Sequence, residues 1–407
     1  MDTVIPTRHP ATPQAVPGPA LGPVARMLGL RKPTPAEFQE LGEALTLGDR
    51  PMDELVEWMY REGMATTRPL FERALQEGIA AVPQAPAPLR EFFDHVESVP
   101  EWVDWDKIRH AELVFGLGGR DGLYVARDMS FLGGYLASGF NKTLLRTGAL
   151  EKGPAKRFAE TTQWAMDVSS PGGMLPQGLG YRSTLHVRMI HSMVRRHVAA
   201  MPDWRGDEWG LPINQTDMAA TLVGALIAPM VGALGMGRLV TPRDADATAH
   251  FARYVGWVMG VEERFLPNSF RDGVRILYHT MTAITNPDET SPQLALPMLD
   301  DPLGWHFRRL PGLRRRIARS QHLSIATMFL GPTAMKQLSL PAYTPPWYPL
   351  LRIPVNLVGS LRTRLVPGGF ERTAAQERAA QLTFIRTLTG TEGAVVGNSA
   401  DHLEHAA

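Results

Sequence analysis

Two segments carry the residues whose types and spacing suit chemistry. In LGYRSTLHVRMIHSMVRRHV (179–198), helical spacings of three, four and seven set His191 on one face with Thr184, Val187, Val194 and Val198. Arg188 lies three residues before it and Arg195 four after, flanking that face. An imidazole so placed can ligate an iron while the arginines pair with porphyrin propionates or orient the ligand. It can equally be a core histidine bonded to a backbone carbonyl, and spacing alone leaves both readings open. His186 and His197 fall on other faces and read as structural or exposed.

The second segment, GPAKRFAETTQWAMDV (153–168), also reads as a helix, with Arg157, Thr161, Trp164 and Val168 on one face. Buried polar groups without partners are costly. An inward arginine and threonine beside a tryptophan therefore need something polar to meet. A bound ligand such as dioxygen is one answer, and an ordinary helix–helix contact is the other.

The elements that must position these residues are helical. Period-3.6 patterns dominate and strand-like alternation is scarce, which predicts an all-α chain. A helical stretch is expected from about Pro35 to Ile79, followed by the proline-rich connector VPQAPAPL (82–89). Helical patterns then run, with interruptions, from Asp104 to about Asn286. Prolines break the chain again over 341–349, and a last helix is expected over 371–388. The expected organisation is a mobile Pro/Ala-rich arm (1–33), one helical domain (34–390) and a polar tail (391–407).

Met218–Gly237 is twenty residues without a charge. Its Ala and Gly content and the central Pro229 favour a buried helix over an integral membrane span. The N-terminus has neither a basic region followed by an apolar run nor a twin arginine. It reads as cytoplasmic as written, or as secreted if a signal was removed.

Composition narrows the chemistry. At 407 residues and 44% hydrophobic, the chain can bury a large core and still enclose a cofactor. The absence of cysteine excludes iron–sulfur clusters, cysteine–zinc sites, thiolate-ligated haem and covalent haem attachment. A net charge of +1 gives no electrostatic case for nucleic acid or an acidic membrane. The nucleophile elbow, the phosphate loop and the HExxH zinc helix are missing. GLGGRDG (116–122) has Asp121 where a dinucleotide loop needs its third glycine, and HLEH (402–405) sits in a polar tail unsuited to a metal.

Arg157-x-x-x-Thr161 followed by Arg188-x-x-His191-x-x-x-Arg195 resembles the latex-clearing-protein/MpaB family of oxygenases. LPINQTDMAATLVG (211–224) and RYVGWVMGVEERFLP (253–267) follow in matching order and spacing. The resemblance implies a globin-like helical core, with extra flanking helices, around a b-type haem. His191 would be the proximal iron ligand and metal site, with Arg188, Arg195 and Trp164 as further cofactor contacts. Arg157 and Thr161 would shape the distal, catalytic side. The implied reaction is dioxygen-dependent cleavage of carbon–carbon double bonds in poly(cis-1,4-isoprene), or a related isoprenoid, to carbonyl products. A haem-binding or gas-sensing protein without catalysis is the alternative. Two positions depart from the pattern. Glu160 stands where latex-clearing members can carry a lysine before the threonine, and Asn141 stands where they carry a distal glutamate.

Overall fold

The structure is a computed structural model and describes residues 4–16, 18–148, 151 and 153–390. Every regular element among them is helical. The helix starts follow from local chemistry. Thr34 and Glu37 cap one another's backbone before Pro35–Glu43, and Thr241 with Asp244 does the same before Pro242–Met259. Asn214 and Ser269 each accept an N–H from the first turn of their helices, Gln215–Leu226 and Phe270–Ile284. Proline occupies the first turn in several of them, where its missing N–H costs nothing.

Helix Pro242–Met259 lies at the centre. It packs on Trp105–Leu117, Leu179–Ala199, Gln215–Leu226 and Phe270–Ile284, and its Phe251, Ala252, Tyr254 and Val255 are fully buried. The charge-free stretch forms two helices, Gln215–Leu226 and Ala228–Gly235, with Pro229 in the first turn of the second. By length and composition alone Gln215–Gly235 could cross a membrane, yet 61% of its apolar window is buried within the protein.

Three expectations change. The described part of residues 1–33 is docked, not loose. Arg8 forms a buried ion pair with Asp217 at 2.7 Å, and the backbone N–H groups of Thr7, Arg8 and Gln14 bond to the carbonyls of Asp207, Glu208 and Thr282. A buried charge pair outweighs what Pro/Ala-rich composition suggests. The expected stretch 35–79 divides into Pro35–Glu43, Arg50–Glu62 and Met64–Glu77, because Gly48 and Gly63 interrupt it. Helix Trp347–Leu365 starts inside the expected proline-rich break. The 116–122 segment is a helix junction at Gly119 (φ +55°), where a Cβ would meet the Glu377 carboxylate. The HLEH tail lies outside the described residues.

Candidate functional site

The two expected segments form one antiparallel hairpin, Pro154–Val168 and Leu179–Ala199. Near its turn, Gly180 lies so close to the Val168 backbone that a Cβ would approach its Cα to 2.3 Å. One turn further, the Trp164 indole N–H donates to the Thr184 hydroxyl at 3.1 Å. Both helices rise about 1.5 Å per residue. Because the helices run antiparallel, Arg157, two turns before Trp164, and His191, two turns after Thr184, lie toward the same end of the hairpin. Seven-residue steps nearly preserve the face of a helix, so Arg157 and His191 project from the two faces that Trp164 and Thr184 bring together.

His191 makes no hydrogen bond among the described residues. Its Nδ1 is sealed from solvent and unpartnered, while the residue as a whole keeps accessible surface. That surface includes Nε2, which is neither sealed nor bonded. Burial, with the Arg195 charge second, pulls the imidazole pKa down to about 4. The ring is thus largely enclosed by protein yet keeps some accessible surface, and it is neutral at physiological pH with Nε2 unbonded.

Arg157 behaves alike. Burial pulls its guanidinium below the usual arginine range, opposed by Tyr135 and Glu160, yet the residue is only part-buried and its guanidinium forms no ion pair or hydrogen bond among the described residues. It lies 5.9 Å over the Phe131 ring. Thr161 is exposed on a helix whose neighbouring Ala159, Glu160 and Thr162 are buried.

Arg188 and Arg195 face other partners. Arg188 reaches Asp49 with Nε at 2.5 Å and Nη2 at 2.8 Å, and donates to the Val258 carbonyl at 2.9 Å. Arg195 pairs with Asp53 and donates to the Ile213 carbonyl at 2.9 Å. These contacts hold the histidine helix against Arg50–Glu62 and leave neither guanidinium free. Of the off-face histidines, His186 sits 3.6 Å from Glu72.

Phe131 ends a π-helical segment, Ala126–Phe131. Such segments lodge an extra residue in a helix and commonly serve a site. Here it turns Arg127 and Asp128 inward, where Arg127 bridges Asp128 and Asp301 (2.8 and 3.2 Å) and His322 meets Asp128 at 2.6 Å. Sequence reading missed this group, and it missed Asp49 and Asp53. Apart from the adjacent Arg127 and Asp128, these partners are more than a hundred residues apart, which leaves no periodic signal. Asn141, which the sequence resemblance sets against a distal glutamate, is fully buried, and its amide donates to Tyr135 O at 2.8 Å and Thr290 Oγ1 at 3.2 Å. It has no proton to trade.

The family model described as ER-bound oxygenase mpaB/B'/Rubber oxygenase, catalytic domain, matches residues 119–360, which include both helices of the hairpin. The chain is similar to a rubber oxygenase from Streptomyces sp. (strain K30), 26% identical over 188 residues, and the match spans 45% of each protein, under half the length of that relative. Its fold is similar to that of latex clearing protein in the closed state, with a TM-score of 0.64 at 20% identity over 87% of this chain and 94% of the other. With more than half of its length matched, this chain belongs to the mpaB/rubber-oxygenase catalytic-domain family.

Proposed function

We propose that the protein is a haem-b-dependent oxygenase that adds both atoms of O2 across a carbon–carbon double bond of poly(cis-1,4-isoprene) or a related isoprenoid, giving two carbonyl ends. One observation carries the reading: a desolvated, neutral His191 imidazole that keeps accessible surface and makes no hydrogen bond among the described residues. No group of three or more potential ligand side chains gathers among the described residues. An ion at His191 therefore needs its remaining ligands from a prosthetic group, which is what a porphyrin provides. Bound there, haem supplies the iron that takes up dioxygen.

The chain's own residues do the rest. His191 offers its lone pair without first losing a proton, because burial already keeps it neutral. Arg188 and Arg195 act through the helix they anchor: tied to Asp49 and Asp53, they fix the imidazole's height and angle. Trp164, bonded to Thr184, keeps the opposite helix in register. Arg157 and Thr161 present a guanidinium and a hydroxyl from that helix, preorganised donors for charge that develops on oxygen. Asn141 spends its amide on structure, so no base acts from that position.

The test is spectral and chemical. Purified protein should show a Soret band, His191→Ala should fold yet retain little haem, and incubation with polyisoprene latex and O2 should yield carbonyl products. A colourless wild-type protein after haem supplementation would sink the reading. The locked Asn141 favours one second reading, a haem protein that binds gas without chemistry, and this predicts the Soret band without the carbonyls.

A further inference from the structure

Helix Trp347–Leu365 is built inside out. Tyr348, Arg352, Asn356, Ser360 and Arg364 recur every four residues and face the protein. Tyr348, Arg352 and Asn356 converge on the buried Asp121 carboxylate at 2.7, 2.8 and 2.9 Å. Ser360 accepts the Leu239 N–H at 3.3 Å, and Arg364 pairs with Asp244. The opposite face carries Leu350, Leu351, Val355, Val358, Leu361 and Leu365. All are exposed, with Leu351 at 64%, Val358 at 66% and Leu365 at 79%. Single exposed apolar residues are ordinary, but a continuous apolar stripe along five turns marks a contact surface.

Charge identifies the occupant. The whole chain is nearly neutral, yet residues 302–370 hold ten basic residues and no acidic one. Arg308, Arg309, Arg316 and Arg362 are exposed and form no ion pair among the described residues. The helix that begins at Pro311 meets the start of the inside-out helix, where the Trp347 indole donates to Ser320 at 3.1 Å. One turn before Ser320 it exposes Ile317 and Arg316. Trp347, Tyr348 and the exposed Tyr343 lie at this same end. A second copy is disfavoured. A twofold contact would set arginines against arginines with no carboxylate between 302 and 370 to pair them. An anionic lipid surface satisfies both features, accepting the apolar stripe among its acyl chains and the guanidinium groups among its headgroups.

We propose that helix Trp347–Leu365, with the arginine-rich start of the preceding helix, is a monotopic docking surface for an anionic lipid bilayer. The near-zero net charge conceals this surface because the compensating acids lie elsewhere in the chain.

The test is co-sedimentation of the full chain with vesicles of phosphatidylcholine mixed with phosphatidylglycerol, and with vesicles of phosphatidylcholine alone. Binding is expected to the mixed vesicles and to weaken with added salt. Two variants report on the two features. One combines L351D, V355D and V358D, and the other R308Q, R309Q, R316Q and R362Q. Each is expected to lower the partition coefficient by about tenfold or more, with unchanged far-UV circular dichroism. The proposal is overturned if the wild-type protein ignores the mixed vesicles, if it binds both compositions equally, or if the variants bind as well as the wild type. A dimer in sedimentation velocity that the aspartate variant dissolves would assign the face to a second copy instead. Should the aspartate variant misfold, the arginine variant alone decides.

Discussion

Arg188 and Asp49 meet in a two-pronged buried ion pair, Nε to Oδ2 at 2.5 Å and Nη2 to Oδ1 at 2.8 Å, less than one helical turn from His191. Removing one partner of such a pair strands the other charge. Asp49→Ala is expected to cost about 3–5 kcal/mol of stability, measured by urea unfolding. The double variant Asp49→Leu with Arg188→Met should recover much of that loss, since two apolar side chains leave no charge behind. A single variant within ~0.5 kcal/mol of wild type would show the pair to be dispensable.

The hairpin closes only over a glycine. Gly180→Ala would place a Cβ 2.3 Å from the Val168 Cα, a backbone atom that cannot turn aside. The two helices must then part near their turn, at a cost of about 1–3 kcal/mol or more. Because Trp164 and Thr184 set the register one turn further, the variant should also lose haem faster than wild type in a transfer assay to apomyoglobin. An unchanged loss rate would uncouple the turn from the site.

Glu112 links pH to the same turn. Its carboxylate accepts the Gly172 N–H at 3.0 Å, and burial, opposed by that bond and by Arg378, pushes its pKa up to about 7. A carboxyl whose folded pKa exceeds its unfolded value near 4.5 stabilises the fold fully below that value and loses the contribution as pH rises through 7. Allowing for solvent screening of the carboxylate, wild type should lose about 1–3 kcal/mol between pH 4.5 and 8 that Glu112→Gln does not lose. Parallel urea profiles for the two proteins would refute the assignment.

On the proposed function, in which His191 would hold the haem, Arg157→Ala and Thr161→Ala should each keep it while turnover falls. Loss of one preorganised donor costs about 2–4 kcal/mol in the transition state. Carbonyl-product assays on the purified variants decide it, and unchanged kcat in both would make these residues structural.

Much of this was legible in the sequence. The all-helical class, both segments of the hairpin and the shared face of Arg157, Thr161 and Trp164 follow from periodicity, which is local information. The partners of Arg188 and Arg195 do not. Asp49 and Asp53 lie 139 and 142 residues away, and an arginine beside a histidine looks the same whether it meets a propionate or an aspartate. Helix Trp347–Leu365 escaped because its prolines suggest a break and its apolar side faces away from the core. Residues 302–370 show that a summed charge can be neutral while its distribution is not.

The Arg8–Asp217 pair bears on how the chain is made. Its partners are separated by 209 residues. Synthesis at about 5–20 residues per second leaves Arg8 waiting roughly 10–40 s for Asp217 to emerge. Until then the segment around Arg8 lacks that partner, because helix Gln215–Leu226 does not yet exist. The segment around Arg8 is thus tied to a helix made long after it, and that helix in turn packs on Pro242–Met259 and Phe270–Ile284, which are made later still.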